Sequence, residues 1–197
     1  MQYLKEEIRN NIIAAALEEF TKKGYQDASM RVIASNAGIA IGSVYRYFKN
    51  KDELFNSIVD PIYTSFTSMI LELYQTEGVI SRMHSIAKEI TDKVMEFYEE
   101  HEAILLILID KSKGSKYENI KEELIRLLNY RLKNELGPIF KETGVKLQDE
   151  YILYVVAASF IEGFFMIINK YKNLSMMKEM INQLLIVYFD DFHKRFQ

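Results

Sequence analysis

The chain has 197 residues, 49% of them hydrophobic, with no cysteine, two prolines and eight glycines. Such a composition buries a sizeable core in long, little-interrupted elements and excludes disulfides, zinc–thiolate sites and thiol nucleophiles. A net charge of −3 argues against a generally basic nucleic-acid binder, yet residues 21–51 hold Lys22, Lys23, Arg31, Arg46, Lys49 and Lys51 against Asp27 alone, a local +5 that leaves −8 elsewhere.

The opening MQYLKEEIRN has no apolar run behind a basic start, so no signal peptide is predicted and a cytoplasmic location is expected. Ile8, Ile12, Ala16 and Phe20, joined by Ile13 and Leu17, follow one helical face, which Lys22, Lys23 and Gly24 bring to a stop. Ser29 offers an N-cap for a short helix over residues 29–36. Gly38 suits a turn that needs positive φ, and a second short helix follows over 40–47. Asn50 or Lys51 opens a longer helix with Asp52 and Glu53 in its first turn, where the helix dipole favours acid. That helix stays amphipathic to Tyr74, and Pro61 is expected to kink it or to restart it with Asp60 as cap.

Further breaks are predicted at Glu77–Gly78, in KSKGSK (111–116), at Gly137–Pro138 and in TGVKLQ (143–148). The stretch YILYVVAASFIEGFFMII (151–168) approaches the length of a membrane span, but Glu162 lies inside it; it reads as a helix covered on most sides by protein, with no membrane partner. Asn173–Leu174–Ser175 precedes a last helix on which Met177, Ile181, Leu184, Leu185, Tyr188 and Phe192 keep helical spacing. No stretch alternates as a strand does. The predicted fold is all-α, with about nine helices.

Two short helices joined by a glycine turn and braced by a preceding helix have the form of a helix-turn-helix. Met30, Ile33, Ala34 and Ala37 with Val44 and Phe48 would make its core. Ala40-Ile41-Gly42-Ser43 then forms a small-residue tip that lets the backbone approach base edges in a major groove. Tyr45 and Tyr47 diverge by about 200° on a helix, so one packs or donates sideways while the other reaches a flanking phosphate. Lys51, beside the free N–H groups of the next helix, is a further phosphate candidate.

The string SMRVIASNAGIAIGSVYRYFKNKDEL strongly resembles the DNA-binding signature of the tetracycline-repressor family of transcriptional regulators, through Ile33-Ala34, Ala37-Gly38-Ile39, Gly42, Tyr45, Tyr47-Phe48, Lys51 and Leu54, and back to Phe20, Gly24 and Tyr25. The resemblance covers about the first 55 residues. It implies that Ser29 and Arg31 meet DNA from the second helix, that Ala40, Ile41, Gly42, Ser43 and Arg46 belong to the recognition helix, and that Tyr45, Tyr47 and Lys51 hold phosphates. Ala28 and Ala40 stand where many members carry Thr and Ser, which leaves more of the hydroxyl chemistry to Ser29 and Ser43; Val32 stands at a position often charged.

The rest of the chain holds no catalytic constellation. His84, His101 and His193 lie far apart with no metal-ligand spacing, so no enzyme, metal or cofactor is expected. Residues 1–50 are read as the DNA-binding domain and 51–197 as a helical domain for ligand binding and dimerisation, the second following from the family. Ala157, Ala158, Ser159 and Gly163 provide small positions for close packing, and Ile181, Leu184, Leu185 and Tyr188 give the last helix more apolar surface than one core needs, as a symmetric homodimer interface would. Glu162 and His101 read as polar anchors, or alternatively as interface or rim groups, and Phe97, Tyr98, Phe160 and Phe164 suggest a hydrophobic or aromatic inducer. Met83, Met95, Met166, Met176, Met177 and Met180 serve either as core filler or as a malleable pocket lining. The combined expectation is a homodimeric, ligand-responsive repressor of a double-stranded, pseudo-palindromic operator, with a ligand-free DNA-binding regulator or an all-helical enzyme as alternatives.

Overall fold

The computed structural model describes residues 2–75, 78 and 82–196, except for the side chains of residues 2–4, 73–75, 193 and 196. Among them 83% are helical and none is in a strand. The helices are α1 (Gln2–Asp27), α2 (Met30–Asn36), α3 (Ile41–Tyr47), α4 (Lys51–Gln75), α5 (Met83–Asp110), α6 (Ile120–Thr143), α7 (Tyr151–Lys170) and α8 (Leu174–Phe189), followed by a 3-10 turn, Phe192–Phe196. The chain divides into two compact units, Met1–Thr67 with His101–Ile120, and Ser68–Glu100 with Lys121–Gln197. The first takes in more than the expected residues 1–50.

In the first unit α1 turns Ile12, Ala16 and Phe20 into the core, as its spacing requires, and breaks at Gly24. Gly24 has φ 74 and ψ 169, a conformation essentially closed to other residues. A Cβ there would also stand 3.2 Å from the Lys111 carbonyl oxygen, which accepts a 2.7 Å hydrogen bond from the Tyr25 N–H. The α2 C-terminus closes with Ile39 N–H to the Ala34 carbonyl and Gly38 N–H to that of Ser35, the paired bonds of a Schellman motif, with Gly38 at φ 69. Asn50 caps α4: its side chain accepts from Glu53 N–H at 2.8 Å, and the Glu53 carboxylate reaches back past the cap to accept from Lys49 N–H at 2.7 Å.

Pro61 does not restart α4, and Pro138 does not end α6; each lies inside a continuous helix. Asp60 is therefore not a cap. Its carboxylate instead accepts from the Tyr117 hydroxyl and pairs with Lys116 at 2.9 Å. Helix α5 has a break that no proline announces, at His101 (φ −130, ψ 21). The predicted break at Glu77 lies outside the described residues. Uninterrupted α4 and α6 leave eight α-helices among the described residues, where about nine were expected.

In the second unit α7 and α8 pack as an antiparallel pair. Phe160 meets Phe189 at 4.8 Å and Tyr188 at 5.7 Å between ring centroids, and Gly163 lets Leu184 approach its backbone. His84 to Asp190 and Lys178 to Asp92 tie α5 to α8, while Tyr154 to Glu122 and Lys133 to Glu150 tie α6 to α7. Helix α7 is long and apolar enough to cross a membrane, with a mean hydropathy of 2.0, but only 33% of that window is buried in this chain. The expectation that protein covers it on most sides is thus not met by one copy.

Tyr117 provides a pH test of the first unit. Its ring lies 4.8 Å from that of Tyr63, and burial, followed by the hydrogen bond to Asp60, pushes its hydroxyl pKa up to about 12 from 10.0. The folded state therefore holds this proton more tightly than the unfolded chain. The stabilisation is complete below pH 10 and is lost as pH rises towards 12. Urea midpoints of wild type and Tyr117→Phe should accordingly converge across that interval, because only the wild type loses this contribution.

Candidate nucleic-acid interface

The roll of α3 is set by what it buries. Val44 is 0% and Phe48 2% exposed, packed in the unit that also buries Ile33 and Ala34 of α2. Counting 100° per residue from Val44, Gly42 and Arg46 fall about 160° and 200° away, with Tyr45 and Ser43 on the flanks. The observed exposure follows that geometry. Gly42, Arg46 and Tyr45 are exposed, Tyr45 by 49%, and Ser43, Ile41 and Tyr47 are half-buried. Arg31 and Ala40 are also exposed, and Ser29 is half-buried at the start of α2. Neither tyrosine is a core residue.

Gly42 is informative because nothing lies within 4 Å of where its Cβ would be. The helix gains no packing from a glycine there and loses about 0.5–1 kcal/mol relative to alanine. A bare backbone at that point is open to contact from outside the chain. Lys22, Lys23, Arg46 and Lys49 are exposed in the same unit, a chemistry that fits a polyanion.

Two expectations change. The Lys51 ammonium donates to the carbonyls of Gln26 at 3.0 Å and Ala28 at 3.2 Å and lies 4.8 Å from the Tyr25 ring centroid. Of its three N–H groups, at most one remains for a phosphate, and its larger role is to close the α1–α2 turn. Ser29 occupies the N-cap position but makes no side-chain cap bond. Its N–H is taken by Glu19 Oε1 at 3.1 Å. The sequence reading missed Glu19, although its place seven residues after Ile12 puts it on the buried stripe of α1.

The candidates beyond the head are distributed over both units. His101 belongs to the first unit, at the α5 break, whereas Phe97, Tyr98, Phe160, Glu162 and Phe164 belong to the second. Tyr98 and Phe160 are buried, and Phe97 and Phe164 half-buried. Glu162 is not a buried anchor: its side chain is 55% exposed and reaches Lys121 at 3.7 Å, because it follows the outward stripe of Val155, Ser159 and Met166. Ala157, Ile181 and Leu185 are buried within the chain, so they belong to the internal α7–α8 seam rather than to a free interface. Ala158, Gly163, Leu184 and Tyr188 are half-buried and Ser159 exposed. Met83, Met95 and Met177 are core residues; Met166 and Met176 are exposed and Met180 half-buried. The His193 side chain lies outside the described residues, among which no metal-holding cluster occurs.

Three polar atoms of the second unit, Thr91 Oγ1, Asn129 Oδ1 and Asn182 Oδ1, are buried without a hydrogen-bond partner among the described residues. An open depression of about 660 Å³ at the α7–α8 turn, bordered by Lys170, Lys172 and Glu179, contains none of the predicted ligand residues.

Three packed N-terminal helices with the third turned outward define a helix-turn-helix DNA-binding protein. Residues 12–58 match the model for bacterial regulatory proteins of the tetR family, so the N-terminal domain is of that family's type. It is 26% identical over 153 residues to the HTH-type transcriptional regulator YhgD of Bacillus subtilis, spanning 77% of this chain and 66% of the relative. It is 25% identical over 142 residues to the HTH-type transcriptional repressor NicS of Pseudomonas putida, spanning 70% of this chain and 64% of the other. The chain thus matches just under two thirds of these relatives' own length. A TerR/AcrR-family transcriptional regulator from Aquifex aeolicus VF5 shares the fold, with a TM-score of 0.62 at 20% identity over 92% of this chain and 99% of that one. So does NalD of Pseudomonas aeruginosa, the secondary repressor of the MexAB-OprM multidrug efflux pump, at 0.60 and 19% over 94% and 97%.

Gly42→Ala separates stability from recognition. The variant should be more stable by about 0.5–1 kcal/mol in urea denaturation and should bind duplex DNA more weakly. Unchanged duplex affinity in a fluorescence-anisotropy titration would place the contact face elsewhere.

Proposed function

We propose that the chain is a homodimeric repressor of a pseudo-palindromic operator, released by a small hydrophobic or aromatic inducer. DNA binding is assigned to residues 1–50, and inducer binding with dimerisation to 51–197. The observation that carries the DNA half is the outward face of α3, with Gly42 and Arg46 at its centre and Val44 and Phe48 sealed behind it. Backbone and serine contacts would set close approach, Arg46 would read a base edge, and Arg31, Tyr45, Tyr47 and the remaining Lys51 donor would hold phosphates.

Dimerisation is supported by the apolar surface that α7 leaves uncovered. Ile152, Val155 and Met166 form an exposed stripe with Ser159 between them, and Val187 and Met176 extend it on α8. A second copy related by two-fold symmetry would bury this surface against itself. Short recognition helices need two half-sites for specificity, which gives the same requirement from the nucleic-acid side.

The inducer reading is supported by Thr91, Asn129 and Asn182, whose buried polar atoms have no hydrogen-bond partner among the described residues and could be satisfied by a ligand. Within the first unit, Asp60 of α4 is held by Tyr117 and Lys116. Inducer release would act on α4, the helix that continues from the DNA-binding head into the second unit. The names NicS and NalD, both repressors, favour repression over activation.

Selection of bound duplexes from a random pool tests this reading. The expected product is an inverted repeat with half-sites centred about one helical turn, or a multiple of it, apart. Met166→Glu should then convert the dimer to monomer in sedimentation velocity and weaken binding to the selected duplex by about a hundredfold or more, through loss of the second head. A monomeric wild type with full affinity, or selection of single half-sites, would contradict the proposal, and a compound screen for release from the selected duplex tests its inducer half.

A further inference from the structure

Helices α2 and α4 begin in different ways, and the difference points to a residue with a function of its own. At α4 the cap is local: the Asn50 side chain accepts from Glu53 N–H, and the Glu53 carboxylate accepts from Lys49 N–H just before the cap. At α2 the corresponding third helical position is Val32, which has no carboxylate to return to the N-cap N–H. That bond is nevertheless made, and it comes from α1: Glu19 Oε1 accepts from Ser29 N–H at 3.1 Å. Glu19 is only 6% exposed, on the same stripe as Ile12 and Ala16. The side-chain half of the cap is absent, since the Ser29 side chain makes no cap bond although its φ of −111 and ψ of 120 are those of an N-cap residue.

We infer that Glu19 is a positioning residue for the DNA reader: by supplying the cap bond from α1, it seats α2 and leaves the Ser29 hydroxyl free to donate to a DNA phosphate. This rests on the DNA-binding reading above. The arrangement has two physical consequences. A carboxylate already sits at the positive end of α2, so that terminus is no seat for a further anion, and the phosphate contact must come from a neutral hydroxyl. A neutral contact releases no counterion, so it adds affinity without steepening the salt dependence. Lys51 holds the same turn from the other side through the carbonyls of Gln26 and Ala28, so α2 is seated by two ionic groups rather than by its own cap residue.

A double-mutant cycle tests the inference by melting temperature and by anisotropy of a labelled random-sequence duplex at several salt concentrations. Ser29→Ala alone should leave the melting temperature unchanged and weaken duplex binding about three- to tenfold at an unchanged salt slope. Glu19→Leu fits the apolar stripe but removes the cap bond, so the Ser29 hydroxyl should be drawn back to its own helix. In that background Ser29→Ala should lower the melting temperature and no longer alter affinity. Glu19→Gln keeps an acceptor oxygen and should restore wild-type behaviour in both measurements. A lower melting temperature for Ser29→Ala in the wild-type background overturns the inference, and that measurement stands even if Glu19→Leu fails to fold. Equal affinity losses in both backgrounds overturn it too. If the wild type binds no duplex, the DNA-binding reading fails, while the melting half of the cycle still decides how α2 is capped.

Discussion

The sealing of Val44 and Phe48 into the first unit is the constraint on which the proposed activity depends. A seven-residue helix has no stability of its own in water, so α3 exists because this face is buried. Once those two side chains are placed, helical geometry leaves Gly42 and Arg46 pointing away from the core, with Ser43 and Tyr45 beside them. The Schellman closure at Gly38 fixes the angle at which α3 leaves α2, and the Asn50 cap of α4, with Glu53 holding Lys49 N–H, ends its freedom on the other side. The reading face thus results from packing, with no separate device needed to aim it.

Ionic and polar groups then hold the head together where apolar contact is thin. Glu19 and Lys51 close the α1–α2 turn, Gly24 allows the Lys111 carbonyl to meet Tyr25, and Asp60 is held by both Tyr117 and Lys116. The residues 111–117 therefore touch the end of α1 and the middle of the first-unit part of α4, giving these two helices a common support.

Much of this was legible in the sequence where local chemistry decides the outcome. The turn between α2 and α3 follows from Gly38, because a positive-φ glycine acts over two or three residues. Pro61 and Pro138 misled because a proline costs one backbone bond and some crowding, which tertiary packing can outweigh without any mark in the sequence. Lys51 reads as a phosphate ligand until the carbonyls of Gln26 and Ala28, more than twenty residues earlier, are found beside it. Helix α7 is apolar on nearly every side, so its pattern gives no direction for the core. Hence the pattern could not choose between a pocket anchor and a rim position for Glu162, which lies on the outward stripe, and it gave Ala157 to an interface when it lies inside.

The absence of cysteine from the whole chain allows a direct measurement of the α3 face. Single-cysteine variants at Gly42 and Tyr45, with one at Lys172 as a control remote from the head, can be followed by thiol-labelling rate with and without saturating duplex DNA. The account predicts fast labelling at all three positions in the free protein, and strong protection by duplex at 42 and 45 but not at 172. Undiminished labelling of 42 and 45 in the saturated complex would contradict it.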